Sequence, residues 1–386
     1  MPTPLESLDK ANWQTFRFDE IARNISERVE PGATDLTVYV GLEHIDSGSL
    51  HIKRTGKPTD VEGTKLRVYA GDVIFGRRRA YQRKAAVATF DGICSAHALV
   101  LRAKPDVIDP KLFPFFLHSD AFMHRAVDIS VGGLSPTINW GNLKLEKFLL
   151  PPRDQQARLA ELLWAADEVG ECYHNELQQL FLVKQTLLEQ TYSYSGNESI
   201  LLAKVGRWLS GGTPNRAKAE FWNGNIPWAS PKDMKVDWLG GTQETVTEIG
   251  AKAASTLLPP DTLLMVVRGM ILAHTFPVAL TTVPMSFNQD MKALIVSKSY
   301  NPRYVFYFLK YMAGHVLANT AESTHGTKRI TTDVLMELMM PVHEDSTEVK
   351  FLDRMNELEV AADTTKAQLK VNHTLKQALI NQMFSA

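Results

Sequence analysis

The densest cluster of side chains able to do chemistry is the stretch GRRRAYQRKAA at residues 76–86. Arginine and lysine neutralise phosphate groups, and arginine and glutamine can make paired hydrogen bonds to guanine and adenine, respectively. A strand-like run, DVIFG, comes directly before the cluster, so we expect these side chains at a strand end. The competing interpretation is a solvated turn. We predict DNA contacts from Arg77, Arg78, Arg79, Tyr81, Gln82, Arg83 and Lys84.

Two further segments combine glycine, small hydroxyl residues and an isoleucine. They are GGLSPTINWGNL (132–143) and HGTKRITTDVL (325–335). Each is expected to form a loop in which threonine or asparagine caps a short helix, and the same polar groups suit contacts that position a phosphate. Arg268 follows the strand-like run TLLMVV and joins the same prediction. The residues assigned to DNA here are Ser135, Thr137, Asn139, Arg268, Thr327, Lys328 and Arg329.

A third segment, SGGTPNRAKAEFWNGNIPWASPKDMK (210–235), places turn-forming residues around aromatic side chains. It contains no nucleophile beside a base, so no catalytic role is predicted for it. Trp222 and Trp228 are predicted to lie in the core rather than to stack on bases. Arg216 and Lys232 are predicted to contact DNA, Lys232 at a phosphate.

The motifs of common catalytic and cofactor sites are absent from the sequence. There is no G-x-x-x-x-G-K-[ST] phosphate loop, and the 11 histidines show no H-E-x-x-H or paired metal-ligand spacing. NPRY at 301–304 invites comparison with a methyltransferase motif, but the equivalent place in the first half of the chain is DPKL. Helix capping explains both. The chain is therefore predicted to be non-catalytic and to bind no metal.

Composition indicates a folded protein of more than one domain. The chain is 44% hydrophobic and 22% charged, which is typical of folded proteins. Its length of 386 residues is too great for one ordinary core. No signal peptide or membrane-spanning run is recognisable, and two distant cysteines favour a reduced, cytoplasmic location. The net charge of −1 conceals an asymmetry: residues 153–192 and 344–386 carry about −6 together, which leaves about +5 on the remainder.

An internal repeat with an offset of about 190 residues organises the chain. VKQTLLEQTYS (183–193) matches LKQALINQMFS (375–385), and DPKLFPFFLHSDAF (109–122) matches NPRYVFYFLKYMAG (301–314). EKFLLPP (146–152) likewise matches MELMMPV (336–342). The chain therefore contains two copies of one unit.

Two long helices are predicted by periodic apolar residues in 154–192 and 344–384. The apolar stripe is narrow, as in coiled coils, so the two helices are expected to pair with each other. Thr365 and Asn372 interrupt the second stripe. The predicted contact residues are Leu159, Leu162, Val169, Tyr173, Leu177, Leu180, Leu187, Leu352, Met355, Leu358, Leu369, Leu375 and Leu379.

The remaining parts are predicted to be mixed α/β. Strands are expected at 37–41, 72–76, 97–103, 262–267 and 292–297. In each half a helix should follow, opened by Asp109-Pro110 or by Asn301-Pro302 as N-cap and first-turn proline.

These features together resemble the specificity subunit of type I restriction-modification systems over nearly the whole chain. The signature G-T-P-x-R…W-x-G-x-I-P-W…D-M appears within 212–234, and the family's other opening, YVGLEHI, occupies 39–45. The pattern T-I-N…L-x-P-P…Q at 137–156 is similar to the family's passage into a spacer helix. The second half departs from it, because RITTDVLMELMMPVHEDSTE lacks the double proline and the glutamine.

The resemblance implies two target-recognition domains, 1–152 and 200–342, held apart by an antiparallel coiled coil of spacer helices, 153–193 and 343–386. Each domain would recognise one half of a bipartite, asymmetric site in double-stranded DNA. Two modification subunits with S-adenosylmethionine would methylate adenine at N6. Restriction subunits using ATP and Mg²⁺ would translocate and cleave DNA, so this chain would need no cofactor. The alternative is a coiled-coil scaffold whose two heads bind proteins.

Overall fold

The computed structural model describes residues 10–193, 198–254, 257–322 and 327–384. The chain divides into two compact units: unit 1 is Met1–Glu176 with Thr365–Ala386, and unit 2 is Leu177–Thr364. Both division points fall inside long helices, so each unit contains part of both. Within the described residues, no helix is long and apolar enough to cross a membrane.

Unit 1 contains most of the first repeat. Its strands are β1 Gln14–Arg17, β2 Ala22–Ile25, β3 Arg28–Val29, β4 Tyr39–Val40, β5 Lys65–Val68, β6 Val73–Gly76, β7 Ala85–Val87, β8 Gly92–Cys94, β9 Ala98–Ala103 and β10 Lys147–Leu150. Its helices are α1 Phe18–Ile21, α2 Phe113–His118, α3 Asp120–Asp128, α4 Trp140–Leu143 and the first part of α5 Arg153–Tyr192.

Two four-stranded sheets form the globular part of unit 1, in the orders β2-β9-β6-β7 and β3-β5-β8-β4. β6 and β9 run antiparallel with Gly76 opposite Ala98, which puts the next residue, Arg77, just beyond the paired region. Both strands are apolar on both faces and almost wholly buried. An aromatic cluster built on Phe18, Phe116 and Phe122 packs beside the sheet and receives Phe384 from the C-terminal helix.

Unit 2 contains most of the second repeat. Its strands are β11 Ser199–Leu201, β12 Gly206–Ser210, β13 Trp222–Ala229, β14 Trp238–Leu239, β15 Glu244–Val246, β16 Thr262–Val266, β17 Val278–Thr281, β18 Ser286–Phe287, β19 Met291–Val296, β20 Ala321–Glu322, β21 Lys328–Arg329 and β22 Met339–Pro341. Its helices are α6 Glu248–Ala254, α7 Pro302–Tyr311, α8 Ala313–Ala318, α9 Thr332–Met336 and the first part of α10 Asp345–Phe384.

The main sheet of unit 2 has the order β12-β19-β16-β17-β14, and a three-stranded sheet has the order β15-β13-β18. The five predicted strands are confirmed as β4, β6, β9, β16 and β19. Asn301 caps α7, because its Oδ1 accepts a hydrogen bond from the Arg303 amide at 2.9 Å. The equivalent prediction for the first half is wrong by several residues: Asp109 accepts from the Lys111 amide in a turn, and α2 begins only at Phe113.

The prediction of two long helices is confirmed, and within each unit their segments pack antiparallel. In unit 1 the Asn372 Nδ2 donates to the Ala166 carbonyl at 3.1 Å, while Ile380 and Met383 join the cluster that holds Ala160. In unit 2 the Lys184 Nζ lies 3.1 Å from Glu359 Oε1, and the Tyr192 and Phe351 rings are 5.6 Å apart. Residue numbers therefore rise along one helix as they fall along the other.

The predicted contact stripe is wrong at several positions. Leu162, Val169 and Leu375 are exposed. In unit 1 the buried face of α5 instead carries Gln156, Ala160, Leu163, Asp167 and Gly170. Four of these residues are small or polar, so a stripe drawn through the leucines and valines alone misses the face. The two predicted interruptions, Thr365 and Asn372, also face inward, since Thr365 is buried and Asn372 is half-buried.

The remaining predicted contact residues fit the packed face better. Met355 and Leu358 are buried. The others are half-buried: Leu159, Tyr173, Leu177, Leu180, Leu187, Leu352, Leu369 and Leu379.

Candidate nucleic-acid interface

The basic stretch of unit 1 lies directly against the loop that precedes α4. The Ile138 amide donates to the Arg77 carbonyl at 2.9 Å, and the Arg79 amide donates to the Pro136 carbonyl at 2.8 Å. Arg78 and Thr137 form a β-bridge between these two bonds. Two segments that the sequence analysis assigned separately to DNA therefore form one surface feature. We call residues 77–84 and 131–139 the first loop pair.

An unusual backbone presents the arginines of the first loop pair. Arg79 (φ 57°) and Arg83 (φ 50°) adopt left-handed conformations on either side of a 3₁₀ turn, Ala80–Gln82. For residues with a Cβ this conformation costs about 1 kcal/mol or more each, and such costs are concentrated at functional sites. Arg78 and Tyr81 are exposed, as is Arg79, whose Nε also donates to the Ser135 hydroxyl at 3.3 Å.

Other members of the first loop pair hold the loop in place. Arg83 pairs with Asp120, and the Lys84 Nζ donates to the Leu42 carbonyl at 2.5 Å. Gln82 contributes through its backbone, which accepts from the Ser47 hydroxyl at 2.6 Å. Asn139 sits at the N-cap of α4 without a capping side-chain bond, and Thr331 does the same at α9, so the predicted side-chain caps are wrong.

Unit 2 repeats the arrangement at equivalent positions. The Ile330 amide donates to the Val267 carbonyl at 2.9 Å, and the Gly269 amide donates to the Lys328 carbonyl at 3.1 Å. Arg268 and Arg329 form the bridge between them, as Arg78 and Thr137 do in unit 1. We call residues 267–274 and 327–331 the second loop pair.

The second loop pair has its own electrostatic surroundings. Gly269 (φ 148°) occupies the place of Arg79, so both loops turn through a residue with positive φ. The Arg268 guanidinium lies 3.9 Å from the Asp290 carboxylate and is half exposed. Thr327 and Lys328 are half-buried, and Arg329 is exposed. His325 and Gly326, which belong to the predicted loop, lie outside the described residues.

The third predicted segment proves to be largely structural. Trp228 is buried, which confirms the core prediction for that residue; Trp222 is partly buried, and its ring packs edge-on against Trp228 at 5.2 Å. The Arg216 guanidinium stacks 3.9 Å from the Trp222 ring centre and forms a two-bond pair with Glu244. That pairing raises the pKa of Arg216 and lowers that of Glu244. Contact of Arg216 with DNA stays a prediction, as does that of the exposed Lys232.

A carboxylate on the long helices, missed by the sequence analysis, links them to the globular part of each unit. In unit 1 the buried Asp167 lies 2.6 Å from His51 Nε2 and 2.6 Å from Lys376 Nζ. In unit 2 the partly buried Glu359 lies 3.1 Å from Lys184 Nζ and accepts from the Tyr307 hydroxyl at 2.7 Å. The two carboxylates are 192 residues apart, and so are the two lysines.

Comparisons with known proteins find similarity to part of the chain. Residues 195–371 match the family model of the type I restriction modification DNA specificity domain. The Escherichia coli EcoR124I/EcoR124II specificity subunit is 34% identical over 162 residues, 41% of this chain and 40% of that protein. The Escherichia coli EcoDI specificity subunit is 27% identical over 187 residues, 47% of this chain and 41% of that protein. The matches thus span about two fifths of these relatives' lengths.

Two solved structures share the fold across nearly the whole chain. A structure described under complex assembly and conformational transition of the type I R-M system covers 98% of both chains, with a TM-score of 0.62 and 17% identity. The type I restriction-modification S subunit from M. genitalium covers 99% of this chain and 98% of its own, with a TM-score of 0.60 and 14% identity. Residues 195–371 are thus similar to type I restriction modification DNA specificity domains, and the whole chain shares its fold with these two solved structures.

Proposed function

We propose that this chain is the DNA-recognition subunit of a type I restriction-modification enzyme, each unit recognising one half of a bipartite site. The observation that carries the proposal is the duplicated loop pair. Arg78 bridged to Thr137 and Arg268 bridged to Arg329 present exposed arginines at the ends of equivalent strands. Arginines on a rigid strand end can neutralise phosphates and form paired bonds to guanine.

Methylation and cleavage are assigned to other chains. In the proposal two modification subunits bind S-adenosylmethionine and methylate adenine at N6, while restriction subunits use ATP and Mg²⁺. This chain then supplies DNA specificity and a place to assemble, and takes no part in the chemical steps.

Exposed apolar side chains on the long helices suit the binding of modification subunits. In unit 2, Phe181, Leu182 and Val183 are consecutive and exposed on α5. In unit 1, Leu162, Val169 and Leu375 are exposed on the same two helices. Exposed apolar side chains can contribute to protein–protein contacts. The misplaced stripe residues are therefore proposed to contact a partner chain and not the other helix.

The proposal is tested by mapping N6-methyladenine in a host that expresses the chain with its modification subunit. The wild type should methylate one bipartite motif. Arg78→Gln with Arg79→Gln should relax or abolish recognition of one half of that motif. Arg268→Gln with Arg329→Gln should affect the other half.

The two double variants are matched controls for each other, since each removes two exposed or half-exposed arginines from equivalent loops. Loss of the same half-site in both would contradict the assignment of one unit to one half-site. A methylome that is identical with and without the chain would favour the scaffold interpretation, and co-purification with proteins other than a methyltransferase would establish it.

A further inference from the structure

The first loop pair carries at its tip an apolar side chain that the rest of the protein leaves uncovered. Leu134 is 99% exposed, the highest value among the large apolar side chains of the described residues. Scattered exposed leucines are common on protein surfaces, so exposure alone assigns no role to Leu134. Its fixed backbone and its charged neighbours distinguish it from scattered surface leucines.

A closed hairpin holds Leu134 in this position. The Val131 amide donates to the Thr137 carbonyl at 3.0 Å, and the Thr137 amide donates to the Val131 carbonyl at 2.9 Å. Gly132 (φ 114°) turns the chain after Val131 through a conformation that favours glycine. The Thr137 hydroxyl also donates to the Ser135 carbonyl at 3.1 Å. Because these bonds already order the hairpin, little conformational entropy is lost when a ligand binds its tip.

Arginine side chains of the first loop pair lie beside this hairpin. The Arg79 Nε donates to the hydroxyl of Ser135, the residue after Leu134, at 3.3 Å. Arg78 is bridged to Thr137 at the base of the hairpin and is exposed. An apolar protein surface that covered Leu134 would also bury these charges without a partner, which is costly. DNA instead offers phosphates to the arginines and stacked bases to the leucine.

The second loop pair also contains an exposed apolar side chain. Met270 is exposed and directly follows Gly269. Exposed Arg329 belongs to the same loop pair. Gly326, at the place equivalent to Leu134, lies outside the described residues. Both loop pairs thus combine an exposed apolar side chain with arginines, although the apolar residue lies on a different segment in each.

We propose that Leu134 is an apolar wedge, which enters between two neighbouring base pairs of the half-site that unit 1 recognises and partly unstacks them. The inference rests on the proposed function and adds DNA bending to it. Leucine is among the side chains that DNA-bending proteins insert between base pairs, and such insertion kinks the duplex by about 20–90°. Pyrimidine–purine steps unstack most readily. The wedge therefore favours such a step without forming a hydrogen bond to a base.

The first test separates an apolar contact from an electrostatic one. In Leu134→Ala, the affinity of the complex with the modification subunit for duplex DNA carrying the mapped motif should fall about tenfold. The dependence of that affinity on salt should stay constant, whereas Arg79→Gln should reduce the salt slope by about one. The melting temperature should not change, because Leu134 is uncovered in the free protein. Leu145→Ala is the matched control: it truncates an exposed leucine of unit 1 outside the first loop pair and should keep wild-type affinity.

The second test measures the bend itself. Dyes at the two ends of the duplex report its end-to-end distance by resonance energy transfer. This distance should be shorter in the wild-type complex than in the Leu134→Ala complex, because only the wild type kinks the DNA at this step. Leu134→Phe keeps a large apolar side chain and should keep the bend. Leu145→Ala should bend the DNA as the wild type does.

The outcomes distinguish the inference from the proposed function. A loss of affinity in Leu134→Ala with an unchanged end-to-end distance would mean that the leucine touches DNA without insertion, and would overturn the wedge. Weaker co-purification of Leu134→Ala with the modification subunit would make Leu134 a protein contact and would also overturn it. Wild-type affinity and bending in Leu134→Ala would overturn the wedge while DNA recognition stands. If the wild-type complex does not bind duplex DNA at all, both the wedge and the proposed function are wrong.

Discussion

Replacing Asp167 with asparagine should selectively loosen the helix pair of unit 1. The Asp167 side chain is only 4% exposed and lies 2.6 Å from both His51 Nε2 and Lys376 Nζ. Burial raises its pKa, but the hydrogen bonds from His51 and Lys376 outweigh that effect and hold the pKa below its ordinary value. The carboxylate is therefore charged at neutral pH and is stabilised by two groups from different elements.

The magnitude follows from the groups that the change leaves unpaired. Removing one member of a buried pair typically costs about 3–5 kcal/mol. Here the Lys376 side chain is 13% exposed and loses its counter-charge, whereas His51 is 35% exposed and can turn to water. We therefore expect a loss of about 3 kcal/mol, which is roughly a 100-fold increase in local opening.

Hydrogen exchange measured by mass spectrometry can resolve the effect along α5. Peptides within 160–176 should exchange about 100-fold faster in Asp167→Asn, whereas peptides within 180–192 should keep their wild-type rates. Glu171→Gln is the matched control on the same helix. Its partner Lys53 lies 2.8 Å away but is 39% exposed, so the expected loss is at most about 1 kcal/mol.

A compensating double variant tests the reasoning itself. Asp167→Leu with Lys376→Met replaces both charges by apolar groups of similar size, and such replacements are often neutral or stabilising. The double variant should therefore recover most of the protection that Asp167→Asn loses. If it were as labile as Asp167→Asn, or if Asp167→Asn exchanged like Glu171→Gln, the electrostatic explanation would be refuted.

The remaining predictions concern titration and thiol reactivity in unit 1. Burial lowers the pKa of His118 from 6.5 to about 4. Its contribution to the free energy of unfolding is therefore complete above pH 6.5, and about 3 kcal/mol of that free energy is lost as the pH falls toward 4. His51 has the opposite sign: its bond to Asp167 raises its pKa, so stability is complete below pH 6.5 and declines as pH rises through the raised value. The free energy of unfolding should be measured with urea across this pH range. Its decrease at low pH should disappear in His118→Gln, and its decrease at high pH should disappear in His51→Asn. Burial also raises the pKa of Cys94 to about 12, so iodoacetamide at pH 8 should modify exposed Cys172 and leave Cys94 intact.

The sequence predicts the strands, the long helices and the loop pairs because these features depend on local pattern. VIFG and ALVL, within 72–76 and 97–103, are short continuous apolar runs of the kind that buried strands contain. The residue types in the two loop pairs predict DNA contacts, but not the contact between the paired segments. Their bridging, Arg78 to Thr137 and Arg268 to Arg329, depends on the sheet that brings distant segments together.

The contact face of the long helices could not be predicted from hydrophobic periodicity. Gly170 faces inward and lies close to Asn372. A Cβ at position 170 would lie only 2.9 Å from Asn372 Oδ1, so this contact depends on a glycine and an amide. Asp167 faces inward because two cations neutralise it. Hydrophobic periodicity counts only apolar residues such as leucine and valine. It therefore leaves out inward-facing glycine, aspartate and asparagine, and it assigns exposed positions to the contact face.

The duplication preserves positions and physical roles more strictly than residue types. Asp167 and Glu359 occupy equivalent places, and so do Lys376 and Lys184, yet the third partner is His51 in unit 1 and Tyr307 in unit 2. Histidine changes charge near neutral pH, whereas the pKa of Tyr307 is raised even further above that range, first by burial. The contacts around Asp167 therefore make the stability of unit 1 depend on pH near neutrality, whereas the equivalent contacts around Glu359 give unit 2 no such dependence. The two units of the repeat can in this way differ in the residues of their loop pairs and in pH response at their helices, while the helix contacts within each unit stay equivalent.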